Sequence, residues 1–281
     1  MSTRDIPTMS RHVLQCVPAD KDFHVFTTFR LDTNLKTDTF HTEVCGGKVS
    51  DIYLLPYHCR RLNEAIAKMS GFKTCEALTN LEAFERQIRV AVEKLDMESS
   101  GEGHPADGEP HLGIIRRGKV SIWPSGHFEV SLVPVPSTFP ILLPTPKTFT
   151  NHSTPTWTVI LDVQATKTDL YTEIKTSYRE AYDRARQCAG LSPTSIMEVL
   201  LYNELNQVMD GSITNVYFFR NNRWVTPDAG GLQGAARQFA LDRGFCSIAS
   251  PAVSKDSLRP GEIVWLSNAF RGFFPATFSI R

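Results

Sequence analysis

Four short stretches of this 281-residue chain carry side chains that could do chemistry. Lys175 lies between an extended segment and a helix with the apolar stripe Tyr178, Ala181, Tyr182 and Ala185. Such a lysine is ordinarily solvated; its functional alternative is a Schiff-base amine, which needs burial to bring its pKa into the nucleophilic range. The run Gly230-Gly231-Leu232-Gln233-Gly234-Ala235-Ala236-Arg237 leads glycines into a helix start. Unpaired backbone N–H groups and the helix dipole can hold a phosphate there. Asp210-Gly211-Ser212-Ile213-Thr214-Asn215 is good turn chemistry entering a strand, and its carboxylate could also pair with a protonated ring nitrogen. In His58-x-x-Arg61-Leu62, Arg61 is by default a surface helix residue, or a planar fork that grips a phosphate. Taken singly, none of the four outweighs its ordinary explanation.

The elements that must position these residues follow from periodicity and breakers. Phe23 to Leu31 reads as a strand, and Ile52 to Leu55 as a second extended stretch leading into a helix. That helix carries Leu62, Ala65, Ile66 and Met69 on one face. A further helix is expected over Leu81 to Leu95, then a mobile loop over Glu98 to Pro110, which is rich in Gly, Ser, Pro and acid. Lys119 to Trp123 and His127 to Pro134 form a hairpin around Ser125-Gly126. Six prolines from Pro134 through Pro155 forbid regular structure and mark a connection between domains. Beyond it the pattern predicts a strand (Thr156 to Val163), a helix (Thr176 to Ala189) and a strand (Ser195 to Tyr202). A hairpin turning on Asn221-Asn222 follows, then a helix from Gly234 that stops at Gly244. The architecture is α/β or α+β. Its expected division is a smaller N-terminal domain (1–135), a connection (136–155) and a larger C-terminal domain (156–281), with a site between the domains.

Bulk composition narrows the partners. Thirty basic residues balance thirty acidic ones, so no general field recruits nucleic acid or an anionic membrane. Neither partner is expected; a small molecule is. The six cysteines form no Cys-x-x-Cys pair and no cluster with zinc-ligand spacing, so they read as reduced, buried thiols and no metal site is expected. The polar N-terminus and the lack of a long apolar run point to a cytoplasmic protein.

The order of the motifs says more than any one of them. Phe26-Thr27-Thr28-Phe29-Arg30, Leu54-Leu55-Pro56-Tyr57-His58-Cys59-Arg60-Arg61-Leu62 and Lys175-Thr176-Ser177-Tyr178-Arg179 come first, the last followed by Tyr182 and Ala185-Arg186. Asp210 to Val216, Trp224 to Pro227, Gly231 to Arg237 and Ser267-Asn268-Ala269-Phe270-Arg271-Gly272 follow. Together, from Phe23 to about Phe278, they resemble the fold-type IV, class IV aminotransferase-like enzymes that use pyridoxal 5'-phosphate. Within that group the sequence is most similar to the 4-amino-4-deoxychorismate lyases.

The resemblance implies a two-domain fold like that of D-amino acid aminotransferase, a homodimer, and pyridoxal phosphate held as a Schiff base on Lys175. It implies that Arg61, the backbone N–H groups of Ala235 and Ala236, and a second turn at Asn268 and Ala269 bind the cofactor phosphate. Asp210 would face the pyridine nitrogen and keep it protonated. Three departures stand out. Asp210 is one methylene shorter than the family's usual glutamate, Ala236 replaces a frequent threonine, and the family's N-terminal Asp-Arg-Gly and Gly-Asp-Gly approach is missing before Phe23. The resemblance favours loss of pyruvate from aminodeoxychorismate, with Arg30, Arg271, Arg117 and Lys119 as candidates for the substrate's two carboxylates. A transaminase of D- or branched-chain amino acids, or a non-catalytic cofactor-binding protein, are the alternatives.

Overall fold

The computed structural model describes residues 15–16, 18–99, 115–135 and 154–280. Its first layer is an antiparallel sheet of β1 (Val25–Asp32), β2 (Ile115–Ile122) and β3 (Phe128–Pro134), packed on α1 (Leu55–Ala67) and α2 (Leu81–Ser99). Period-two alternation divides β1: Val25, Thr27 and Phe29 are fully buried, whereas Phe26 and Thr28 line a cavity on the other face. α1 buries Leu55, His58, Cys59, Leu62 and Ala65. Met69 lies beyond its end and is still buried.

The approach to α1 differs from the expected extended stretch. Only Ile52 bridges a strand residue, Leu31; Leu54 takes a left-handed conformation (φ 55°), and the helix begins at once with Pro56 in its first turn. A non-glycine residue at positive φ is strained, and strain of this kind gathers at functional sites. Of the expected mobile loop, Glu98 and Ser99 still belong to α2 and the rest lies outside the described residues. So does most of the Pro-rich connection.

The second layer follows β4 (Trp157–Leu161), α3 (Leu170–Glu173), α4 (Glu180–Cys188), β5 (Met197–Tyr202), β6 (Val208–Gly211), β7 (Asn215–Arg220) and β8 (Arg223–Thr226). It ends with α5 (Ala235–Asp242), β9 (Ser247–Ile248), β10 (Ile263–Asn268) and β11 (Gly272–Phe278). Among the described residues these strands form one mixed sheet in the order β9-β8-β7-β10-β11-β4-β5-β6. Both asparagines of the β7–β8 hairpin have positive φ, as does Gly244 after α5. A shared core joins Tyr53 and Leu54 from the first part of the chain to Tyr217, Phe239, Trp265 and Phe273.

The helix expected from Thr176 starts four residues later, at Glu180. The backbone explains this: the Phe26 N–H donates to the Lys175 carbonyl (2.9 Å) and the Ser177 N–H to the His24 carbonyl (2.8 Å). Strand-like pairing with β1 takes the groups a helix would have used. Cys45, Cys59, Cys75 and Cys246 are buried as expected, but Cys188 at the end of α4 is exposed.

Candidate active site

Lys175 is thus fixed by its backbone against β1, and its Nζ lies 5.0 Å from the centre of the Phe26 ring. Burial, with the Arg179 and Arg61 guanidinium groups nearby, holds its amine well below the usual lysine pKa, against a smaller opposing pull from Asp210. The lysine can therefore be neutral and nucleophilic. Asp210, in β6, is 2% exposed and accepts the Leu232 N–H through Oδ2 at 2.9 Å. Its Oδ1 is buried without a hydrogen-bond partner, and burial pushes the carboxyl up to about 8.

Arg61 reaches from α1 to the hydroxyl of Thr27, and its Nε is buried without a partner. Among the described residues no carboxylate lies within ion-pair distance of this guanidinium. Burial pushes its pKa down to about 10. Lining the same cavity, α5 begins with Gly234 as N-cap, which offers no side chain to the leading N–H groups. A Cβ on Gly234 would come within 1.9 Å of the Asn215 Oδ1, so only glycine fits there. Asn215 in turn donates to the Leu232 carbonyl at 2.7 Å, tying the turn to β7. In the second turn the Asn268 side-chain oxygen accepts the N–H groups of Phe270 (3.1 Å) and Arg271 (2.7 Å).

These residues meet around a cavity of about 350 Å³. Lys175, Arg61, Ala235, Ala236, Asn268, Ala269 and Arg271 all line it, and Asp210 lies just behind Gly211 and Leu232. Arg117, Arg179 and Arg186 line it as well, and Asp183 is the only acidic residue that does so among the described residues.

Two of the expected substrate cations are elsewhere. Arg30 is 2% exposed and paired with Asp32 at 2.7 Å, its charge already matched inside the protein. Lys119 is held by the ring of His24 (Nζ to Nε2, 3.0 Å) and sits over Phe26 instead of lining the cavity. The structure also separates the two tyrosines. Tyr182 lines the cavity and is 3.5 Å from Asp210, while Tyr178 donates to Asp20.

Sequence reasoning passed over Glu198. It is fully buried in β5, and its carboxylate accepts Ser212 Oγ (2.5 Å), Thr214 Oγ1 (2.8 Å) and the N–H groups of Ser212 and Ile213 (3.1 and 3.2 Å). That cage shapes the turn after Asp210. The available signal was a glutamate within the apolar run Met197-Glu198-Val199-Leu200-Leu201, since a charge there must be satisfied internally.

The donor set fits pyridoxal phosphate. A buried, unmatched carboxylate oxygen suits a protonated pyridine nitrogen, which would also relieve the cost of ionising Asp210. A guanidinium held by a hydroxyl and by no carboxylate among the described residues, lining the same cavity as an uncapped helix start, suits a phosphate dianion. A lysine amine in the same cavity, its neutral form favoured by burial and by neighbouring arginines, suits the aldehyde. Site and fold together define the class of fold-type IV pyridoxal-phosphate enzymes.

The chain belongs to the amino-transferase class IV family, which it matches over residues 25–277. It is 27% identical over 84% of its length to a Schizosaccharomyces pombe protein provisionally assigned as an aminodeoxychorismate lyase, of which it covers 87%. It is 30% identical to the Saccharomyces cerevisiae aminodeoxychorismate lyase over 47% of this chain and 40% of that one. Among solved structures, a provisionally assigned amino-acid aminotransferase from Mesorhizobium loti superposes with a TM-score of 0.61 at 23% identity. The match covers 92% of this chain and 100% of that one, and it speaks for the fold.

Proposed function

We propose that the protein is a pyridoxal-phosphate-dependent lyase that converts 4-amino-4-deoxychorismate to p-aminobenzoate and pyruvate, a step that supplies folate synthesis. The observation that carries this reading is the charge of the cavity: Arg61, Arg117, Arg179, Arg186 and Arg271 line it against Asp183 alone among the described residues. A phosphate dianion and a dicarboxylate together match that excess, whereas a branched-chain amino acid would leave most of it unbalanced. Both curated relatives described above carry the lyase name.

Arg61 and the leading N–H groups of α5 would hold the cofactor phosphate, Asn268 and Ala269 would add a second turn, and Asp210 would face the ring nitrogen. When bound, pyridoxal phosphate supplies an electron sink for charge developing at the amine-bearing carbon of the substrate. Lys175, released as a free amine, takes the proton from that ring carbon and returns one to the methylene of the departing enolpyruvyl group. Arg271 and Arg117 receive the carboxylates and orient the ring so that this proton faces Lys175. Gain of aromaticity makes the step effectively irreversible. We further read the protein as a cytoplasmic homodimer. Among the described residues, no helix is long and apolar enough to cross a membrane.

The test is to supply the purified holoenzyme with enzymatically generated aminodeoxychorismate and follow p-aminobenzoate fluorescence. Equal amounts of p-aminobenzoate and pyruvate, lost in Lys175→Ala together with the visible absorbance, are expected. A cofactor-loaded protein that yields neither, and instead loses its absorbance band on adding amino acids, would reassign it as a transaminase.

A further inference from the structure

The guanidinium of Arg61 rests on a hydroxyl, and that hydroxyl rests on a histidine. Thr27 Oγ1 lies 2.5 Å from His58 Nδ1, and His58 Nε2 lies 3.1 Å from the Tyr53 carbonyl oxygen. Thr27 is 0% and His58 1% exposed, so neither exchanges these partners for water.

We propose that His58 is a positioning residue for the cofactor's phosphate site, acting through Thr27 to present Arg61 with a pure acceptor. The inference rests on the reading of Arg61 as a phosphate ligand. Its logic is one of hydrogen count. A carbonyl can only accept, so Nε2 must carry the ring's hydrogen and donate it to Tyr53. Burial and the neighbouring Arg61 push His58 down to about 3, so the ring is neutral and Nδ1 bears no hydrogen. Nδ1 therefore accepts, and the single hydroxyl hydrogen of Thr27 is committed to it. What remains on Thr27 Oγ1 is lone pairs, and the Arg61 Nη2 donates to them.

The arrangement fixes the arginine without neutralising it. Three residues further along β1, Arg30 is held by a carboxylate, Asp32, which cancels its charge. Thr27 holds Arg61 by a neutral oxygen, so the whole positive charge remains for an incoming anion. The relay is anchored at its far end by the backbone just before Leu54, the residue in the left-handed conformation. Without His58 the Thr27 hydroxyl can rotate its hydrogen toward the guanidinium, and donor would then face donor. Pre-organisation of the phosphate site would be lost.

The experiment compares the affinity of the apoprotein for pyridoxal phosphate and for pyridoxal, which lacks the phosphate. Thr27→Val keeps the shape and removes the hydroxyl, Thr27→Ser keeps the hydroxyl, and His58→Phe removes the ring acceptor. Thr27→Val and His58→Phe should each weaken pyridoxal phosphate by about 10- to 30-fold while pyridoxal changes less than about threefold, with Thr27→Ser near wild type. An equal loss for both ligands, or unchanged phosphate preference in Thr27→Val, would overturn the positioning role. Should His58→Phe not fold, the Thr27 pair decides alone. A wild-type protein that binds both ligands equally would instead defeat the assignment of Arg61 to the phosphate.

Discussion

The Asp210 carboxylate accepts the Leu232 N–H through one oxygen, 2.9 Å away, and keeps the other buried with no partner. This half-satisfied group keeps one acceptor available to a ligand's donor. A Cβ on Gly231 would lie 2.9 Å from the Asp210 carboxyl carbon, so the glycine turn closes tightly over the side chain.

The first prediction follows from the raised pKa. In the folded apoprotein Asp210 titrates at about 8, above its unfolded value. The folded state thus binds the extra proton, and stability is complete below the unfolded pKa and declines as pH rises toward 8. Asp210→Asn should remove that decline. Its apoprotein should melt about 3–6 °C above wild type at pH 9, with little difference near pH 4. The same variant should bind pyridoxal phosphate more weakly, since the counter-charge to the ring nitrogen is gone. Thermal melts with and without cofactor check both signs.

Glu198 gives a second prediction. Its oxygens accept five donors, including the Val199 N–H at 2.8 Å, and Arg186 stands 4.0 Å away. An amide would point hydrogens at donors, so Glu198→Gln should cost about 2–4 kcal/mol in urea unfolding. The 210–215 turn should become more open to hydrogen exchange than the rest of the sheet. A uniform change across the protein would count against this account.

The glycine turn yields a paired test. At Gly234 a Cβ would strike Asn215 and break its bond to the Leu232 carbonyl; at Gly244, which has φ +68°, nothing lies within 4 Å. Gly244→Ala should cost only about 1 kcal/mol of backbone strain and leave cofactor affinity alone. Gly234→Ala should cost more and weaken pyridoxal phosphate by about tenfold, because α5 must shift its leading N–H groups. Denaturation and cofactor titration of the two variants separate strain from site geometry.

The elements around the site were legible where local pattern and tertiary fold agree. The Asn221-Asn222 hairpin, the glycine entry to α5 and the apolar face of α1 are all local signals, and all stand in the structure. Lys175 was legible as a candidate nucleophile but not as conformation, because its partner strand lies some 150 residues away and takes the hydrogen bonds of the expected helix turn. Cations were the hardest to place. Arg30 and Arg271 read alike in sequence, and only packing shows that one meets Asp32 while the other lines the cavity.

That difference supplies the last prediction. Arg271 is partly buried, its guanidinium lies 5.3 Å from the Trp157 ring centre, and burial lowers its pKa, opposed by the Glu198 carboxylate and reinforced by Arg117 and Arg186. A cation kept beside other cations is electrostatically costly, and a carboxylate-bearing ligand would relieve that cost. Arg271→Met should therefore raise KM for the dicarboxylate substrate by about 10- to 100-fold, with a smaller change in kcat and no change in cofactor affinity. Lys119→Met, removing a cation that is a near neighbour of Arg117 in sequence but is held by His24, should leave KM within about threefold. If the two variants raise KM alike, the cavity's charge acts as a general field and Arg271 does not contact the substrate. If only Arg271→Met does so, the contact is specific.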